Sequence, residues 1–114
     1  MNLHSETRGA CLIITVDADR IDAATAVQFK DEMRCAITDS AERVILDMHL
    51  VESIDSSGLG AIVSIMKYLG ADRRLELASL SPKVQAVFRL TRMDAVTTIH
   101  EGVEEALEHV VRAS

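Results

Sequence analysis

The 114-residue chain has no tryptophan, one tyrosine and two phenylalanines. A core with so few rings has to be filled by aliphatic side chains and methionine, and the 48% hydrophobic share and five methionines supply them. Met33, Met48, Met66 and Met93 read as core filler. Positive charge is in the minority, 12 Lys and Arg against 18 Asp and Glu, for a formal charge of −6. That balance speaks against a nucleic-acid or anionic-membrane surface, since both reward clustered Lys and Arg. No apolar run approaches the roughly 20 residues that cross a bilayer, and the first residues lack the basic-then-apolar layout of a signal peptide. The expectation is a soluble, cytoplasmic protein without a membrane partner.

Cysteine is scarce as well. Cys11 and Cys35 lie far apart inside apolar runs, which fits a reduced, buried pair, because free cysteine packs as a small hydrophobe. The four histidines, His4, His49, His100 and His109, have no i, i+4 pairing and no H-E-x-x-H spacing. They read as surface or edge residues, and no metal site is expected. Catalytic motifs are missing too. Gly58-Leu59-Gly60 begins like a dinucleotide fingerprint, but Val63 stands at the third glycine position. No G-K-[ST] phosphate loop is present, and a nucleophile elbow would need glycine where Ile54 stands. His49 is a candidate base for Ser56, but no Ser/His/Asp order accompanies it. The residues point to no enzyme and no cofactor.

The length leaves room for one domain, residues 1–114, able to bury its own core. Leu3 to Thr7 alternates weakly, Arg8-Gly9 marks a turn, and Cys11 to Val16 is apolar and β-branched, which fits a strand covered on both faces in a hairpin with the first. Asp22 is the expected N-cap of a helix whose apolar stripe is Ala26, Phe29, Met33, Ala36 and Ile37. Asp39-Ser40 ends it, and Arg43 to Met48 forms the next strand, so that a βαβ crossover with parallel pairing follows. From Leu59 onward, Leu59, Ile62, Val63, Met66 and Leu69 keep helical spacing up to Gly70. Leu75 to Ala78 is a short strand. Ser81-Pro82 opens a helix as N-cap and first-turn proline, with Val84, Val87 and Phe88 inward. Thr97 to Ile99 is a last strand near an edge. Glu101 to Arg112 is an amphipathic helix through Val103, Ala106, Leu107, Val110 and Val111, its acidic side a solvated face. The order is β-β-α-β-α-β-α-β-α, a small α/β domain with helices on a mostly parallel sheet.

Between the strand at residue 44 and the helix after residue 58 lies Ile54-Asp55-Ser56-Ser57-Gly58-Leu59-Gly60. Ser56 and Ser57 are good N-cap residues, because a hydroxyl accepts from N–H groups that the first helical turn leaves unpaired. Gly58 and Gly60 leave room for close approach. A serine hydroxyl at the positive end of a helix suits a phosphoserine, which such a site favours by roughly 0.3–1 kcal/mol. Capping alone is the plainer role for Ser56, Ser57 and Asp22.

Asp55 to Gly60, after an apolar strand and before an aliphatic helix, resembles the signature of bacterial anti-sigma factor antagonists of the STAS fold. The likeness continues in Ile21-Asp22 and in Ser81-Pro82 with Val84 and Phe88, and it covers essentially the whole chain. It departs at Asp19-Arg20, where such proteins usually carry a glycine before a leucine-aspartate pair. The resemblance implies the STAS fold, a sheet of four to five strands with four helices packed on it. It also implies partner switching. Ser56 would be the phosphoacceptor and Ser57 the neighbouring cap. Asp22 and Asp55 would lie on the kinase-facing surface, with Gly58 and Leu59 at the contact. The partners implied are an anti-sigma factor that is also a serine kinase of histidine-kinase-like fold, bound by the unphosphorylated form to free a sigma factor, and a PP2C-type phosphatase that resets the switch. The alternative use of the same fold is a non-catalytic interaction subunit of a stress-sensing or lipid-trafficking transporter complex.

Overall fold

The computed structural model describes residues 1–109. Asn2–Arg8 (β1) and Cys11–Asp17 (β2) form an antiparallel hairpin. Its two-residue loop places Gly9 at φ 60° and leaves Ala10 at negative φ, the type II′ pattern that matches strand twist and favours glycine first. Arg20–Ile21 (β3) leads into Ala26–Ala36 (α1), and Arg43–Asp47 (β4) follows. Ser53–Ile54 (β5) precedes Ser56–Leu69 (α2), then come Arg74–Ala78 (β6), Pro82–Leu90 (α3), a 3₁₀ turn at Met93–Ala95, Thr98–His100 (β7) and Val103–Glu108 (α4).

The main sheet has the order β1-β2-β4-β6-β7, with β2, β4, β6 and β7 parallel. Each crossover steps the same way along the sheet, and crossovers of the usual right hand then put their helices on one face. The core agrees: Phe29 and Met33 of α1, Ile62 and Ile65 of α2, and Val84 and Phe88 of α3 pack with Leu12, Ile14, Val44, Leu46 and Leu77. The opposite face is left to α4, whose Ala106, Val103 and Leu107 meet Cys11, Ile13, Ile45 and Ala78.

The expected elements are present, with differences at their ends. Helix α1 has Thr25, without a side-chain bond, at its N-cap. Asp22 instead holds the turn before it, accepting from Ala24 N at 3.0 Å, while Thr25 Oγ1 accepts from Asp22 N at 3.0 Å. The buried stripe of α2 is Gly58, Ala61, Ile62, Ile65 and Leu69, rotated from the expected one, with Leu59, Val63 and Met66 half-buried. Nearly every turn of this helix is apolar on several sides, so spacing did not select the face. Cys11 is buried but Cys35 is exposed, which corrects the expectation of two buried thiols. The expected residues Val110, Val111 and Arg112 of the last helix lie outside the described residues.

One buried charged group had no expectation attached. Glu76, on the α4 side of β6, is 1% exposed. Arg43 donates to both its carboxylate oxygens, the Nη2–Oε1 bond being 2.7 Å, and His100 Nε2 lies 2.6 Å from Oε1. His100 thus lies at the sheet edge, as expected, with its side chain turned onto Glu76. Arg43 also donates to Ala106 O at 2.9 Å and His109 O at 3.2 Å, fastening the end of α4 to the sheet. Burial pushes the Glu76 carboxyl up, but the hydrogen bonds from Arg43 and His100 outweigh it, and the group is held below its ordinary value of 4.5. A carboxyl depressed in the folded state contributes stability above its ordinary value and loses it as pH falls through the lower, folded one. Glu76→Gln leaves the Arg43 charge partly buried without its partner and is expected to cost about 3 kcal/mol at neutral pH. The loss should shrink as pH falls below 4.5, as urea unfolding at neutral and acid pH would measure. A cost that stays constant into acid would remove the ion pair from the stability of the fold.

Candidate partner-docking site

Two connections run side by side at the carboxyl ends of β2 and β4. Met48 and Val51 are buried anchors of the second. Glu52 N and Ser53 N both donate to Asp19 O, at 2.7 and 3.2 Å, and β5 then pairs in parallel with β3. Asp19-Arg20 therefore serves the pairing through its backbone, and its own exposed ion pair at 3.5 Å contributes little. Asp55 N donates to Ile21 O at 3.3 Å and closes the register. Residues 22–25 and 55–58 end up against each other.

Asp55, not either serine, is the N-cap of α2. Its Oδ1 accepts from Gly58 N at 2.9 Å, and its Oδ2 accepts from Ala23 N at 3.3 Å. One carboxylate thus satisfies a first-turn N–H of the helix and ties the helix to the neighbouring loop. Ser57 is a first-turn residue, which corrects its expected role as a cap. Gly58 is buried, and a Cβ there would meet the Ile21 carbonyl oxygen and, at 2.7 Å, Ile54 Cγ1. The glycine is required for that approach.

The sequence-derived residues thus come together, but unequally. Asp55, Ser56 and Ser57 are exposed, Asp22 and Leu59 are half-buried, and Gly58 is beneath the surface. Because Asp55 holds the cap, the Ser56 hydroxyl at the first position of α2 is not needed for it. Val27, one residue into α1, is an apolar side chain 65% exposed. The expected stripe of α1 passes Val27 by, and helical spacing alone assigns no role to an outward apolar residue. The described residues contain no group of His, Cys, Asp and Glu arranged to hold a metal ion, and no described helix is long and apolar enough to cross a membrane.

The STAS domain family model matches residues 2–106. The chain belongs to the STAS domain family. Among proteins similar to this STAS domain is one of Thermotoga maritima provisionally named an anti-sigma factor antagonist, 38% identical over 71 residues. That match spans 61% of this chain and 63% of the relative. The crystal structure of a Thermotoga maritima protein carrying the same provisional name superimposes with a TM-score of 0.82 at 26% identity, covering 96% of this chain and 95% of that one. The anti-sigma factor antagonist SpoIIAA in its unphosphorylated form has a TM-score of 0.73 at 22% identity, covering 97% and 100% of the two chains. The phosphorylated Bacillus SpoIIAA gives 0.67 at 23%, covering 94% and 97%. The SpoIIAA likeness is one of fold. The five-stranded, four-helix arrangement of this chain is the STAS fold.

The cap assignment orders the effects of substitution. Asp55→Ala is expected to cost about 1 kcal/mol through the lost cap, and Gly58→Ala about 1–3 kcal/mol through overpacking against Ile21. Ser57→Ala should stay within about 0.5 kcal/mol, as exposed changes do. Urea midpoints of the three variants measure this, and a Ser57→Ala loss equal to that of Asp55→Ala would return the cap to the serine.

Proposed function

We propose that this domain is an anti-sigma factor antagonist whose docking is switched by phosphorylation of Ser56. Unmodified, it binds an anti-sigma factor that is also a serine kinase of histidine-kinase-like fold and so frees a sigma factor for transcription. A PP2C-type phosphatase restores the binding form. The similarity to proteins named as antagonists supports the general role, and SpoIIAA, of the same fold, is known in both unphosphorylated and phosphorylated forms. The observation that carries the reading for this chain is the exposed Ser56 hydroxyl at the start of α2, released from capping by Asp55.

Phosphate would add about −1.5 to −2 charge at neutral pH. In the free domain that charge sits at the positive end of α2, which stabilises it by roughly 0.3–1 kcal/mol. In a packed complex it loses water and lies beside the Asp55 carboxylate, whose oxygens are already engaged with Gly58 and Ala23. A thousandfold loss of affinity needs about 4 kcal/mol, within reach of an uncompensated buried charge. Asp22, Asp55, Ser56, Ser57 and Leu59 form the docking surface in this reading, with Gly58 holding its backbone in place.

Incubation with ATP and the serine kinases encoded beside this gene is expected to add the mass of one phosphate. The gain should vanish in Ser56→Ala and persist in Ser57→Ala. Modification at Ser57 instead would move the site, and the absence of modification by every such kinase would favour the interaction-subunit role over the switch.

A further inference from the structure

Strand β1 is an edge of the main sheet, and six of its seven residues are exposed. Its outward hydrogen-bonding groups can be assigned. Arg43 N donates to Ala10 O, so the even-numbered residues of the β2 segment face β4 and the odd-numbered ones, Cys11 to Asp17, face β1. Their register partners Arg8, Glu6, His4 and Asn2 use their main-chain groups on β2. Leu3, Ser5 and Thr7 then direct N–H and C=O away from the sheet. No proline interrupts them, so the row is a template for another strand.

We propose that this edge is where a second copy of the chain docks, β1 against β1 in antiparallel fashion, to give one continuous ten-stranded sheet about a two-fold axis at Ser5. Side-chain complementarity favours a second copy and this register, although His4 also faces Asp17 at 3.3 Å and Arg8 faces Glu6 and Glu104 within the chain. Centred on Ser5, the outward groups of Leu3, Ser5 and Thr7 meet those of Thr7, Ser5 and Leu3 of the copy, for about six main-chain hydrogen bonds. The pairs between them are the closer, non-hydrogen-bonded ones, and they set His4 opposite Glu6 twice on the α4 face, with Asn2 opposite Arg8. A carboxylate facing a ring N–H donor across such a pair is stabilising, and two carboxylates facing each other are not. A slip by two residues one way sets Glu6 against Glu6 and His4 against Arg8. A slip the other way sets His4 against His4 and Glu6 against Asn2, and so loses both His4–Glu6 pairs. A single self-complementary surface of this kind is what a two-fold dimer requires.

A second feature lies beside the same edge. A groove of about 430 Å³ between β1 and α1 is lined by Asn2, Leu3, Asp31, Glu32, Cys35 and Ala36. Within this stretch Glu32 Oε2 is a buried oxygen with no hydrogen-bond partner among the described residues. The dimer uses none of residues 22–25 or 55–59, so it stands independently of the Ser56 switch.

Sedimentation equilibrium of the full chain without an N-terminal tag tests the idea over a wide concentration range. The wild-type chain is expected to reach twice the mass of one chain. Ser5→Pro should abolish this while leaving the fold intact, because the lost N–H points away from β2 and an edge strand tolerates it. Glu6→Lys should weaken the dimer about tenfold, and the double variant His4→Glu/Glu6→Lys should recover it. Hydrogen exchange offers a readout free of substitutions: the amides of Leu3, Ser5 and Thr7 should gain protection as concentration rises, while those of His4 and Glu6 are protected throughout. A chain of single mass at every concentration, or a dimer unchanged by Ser5→Pro, would overturn the proposal. So would a strand in which Leu3, Ser5 and Thr7 are protected only when a peptide of another protein is added.

Discussion

The closest constraint at the site is the approach of two main chains, at Ile21 and at Gly58. The Ile21 carbonyl accepts from Asp55 N and faces the Cα of Gly58, leaving no volume for a side chain. With that approach in place, Asp55 spans from Gly58 N to Ala23 N. One side chain then does what two separate caps would otherwise do, holding the first turn of α2 and the loop before α1 in a common surface. Had a serine carried the cap, phosphorylation would have altered the helix end itself. With Asp55 as the cap, the proposed modification of Ser56 would change surface charge and leave the capping bond of α2 untouched.

The winding of the chain explains why that surface lies where it does. Successive crossovers in one direction put α1, α2 and α3 on a single face, and the loops leaving the parallel strands at their carboxyl ends converge beside one another. The small β3–β5 pairing sets the spacing of those loops. The other face is closed by the short helix α4, which buries few apolar residues. It is held in addition by Arg43, which bridges the Glu76 carboxylate and the last carbonyls of the helix. A buried ion pair contributes little net stability when compared with apolar packing of the same volume, but removing one partner is costly. The polar side of the sheet is thus specified by a few charged groups, and the apolar side by many interchangeable aliphatic ones.

Much of this architecture was legible in the residues. Continuous apolar runs marked β2 and β4, spacing marked the stripe of α1, and Ser81-Pro82 marked the start of α3, where Ser81 Oγ accepts from Val84 N at 3.2 Å. The strands β3 and β5 were not legible, since two residues cannot display a period. In Asp55-Ser56-Ser57 three residues are all good caps, and the geometry that decides among them is the reach of Asp55 to Gly58 N. Asp22 looked like a helix cap because it does fold its side chain onto backbone N–H, one turn before the regular helix begins. Glu76 sits between leucines in a strand and reads as a solvent-facing residue. Only the placement of Arg43 opposite it and α4 above it makes it interior. The roles proposed around Ser56 come from the resemblance to a family, and the local geometry adds that Asp55 carries the cap of α2.

The central claim is that charge at Ser56 acts on docking and not on the fold. Its most direct measurement is the dissociation constant of the complex with the proposed anti-sigma factor partner, for unmodified protein and for protein carrying phosphoserine at position 56, alongside amide chemical shifts of both free forms. The expected result is a loss of affinity of about a thousandfold, equivalent to about 4 kcal/mol, with shift changes confined to residues near 22–25 and 55–60. Equal affinities, or shifts spread through the sheet and the length of α2, would contradict it.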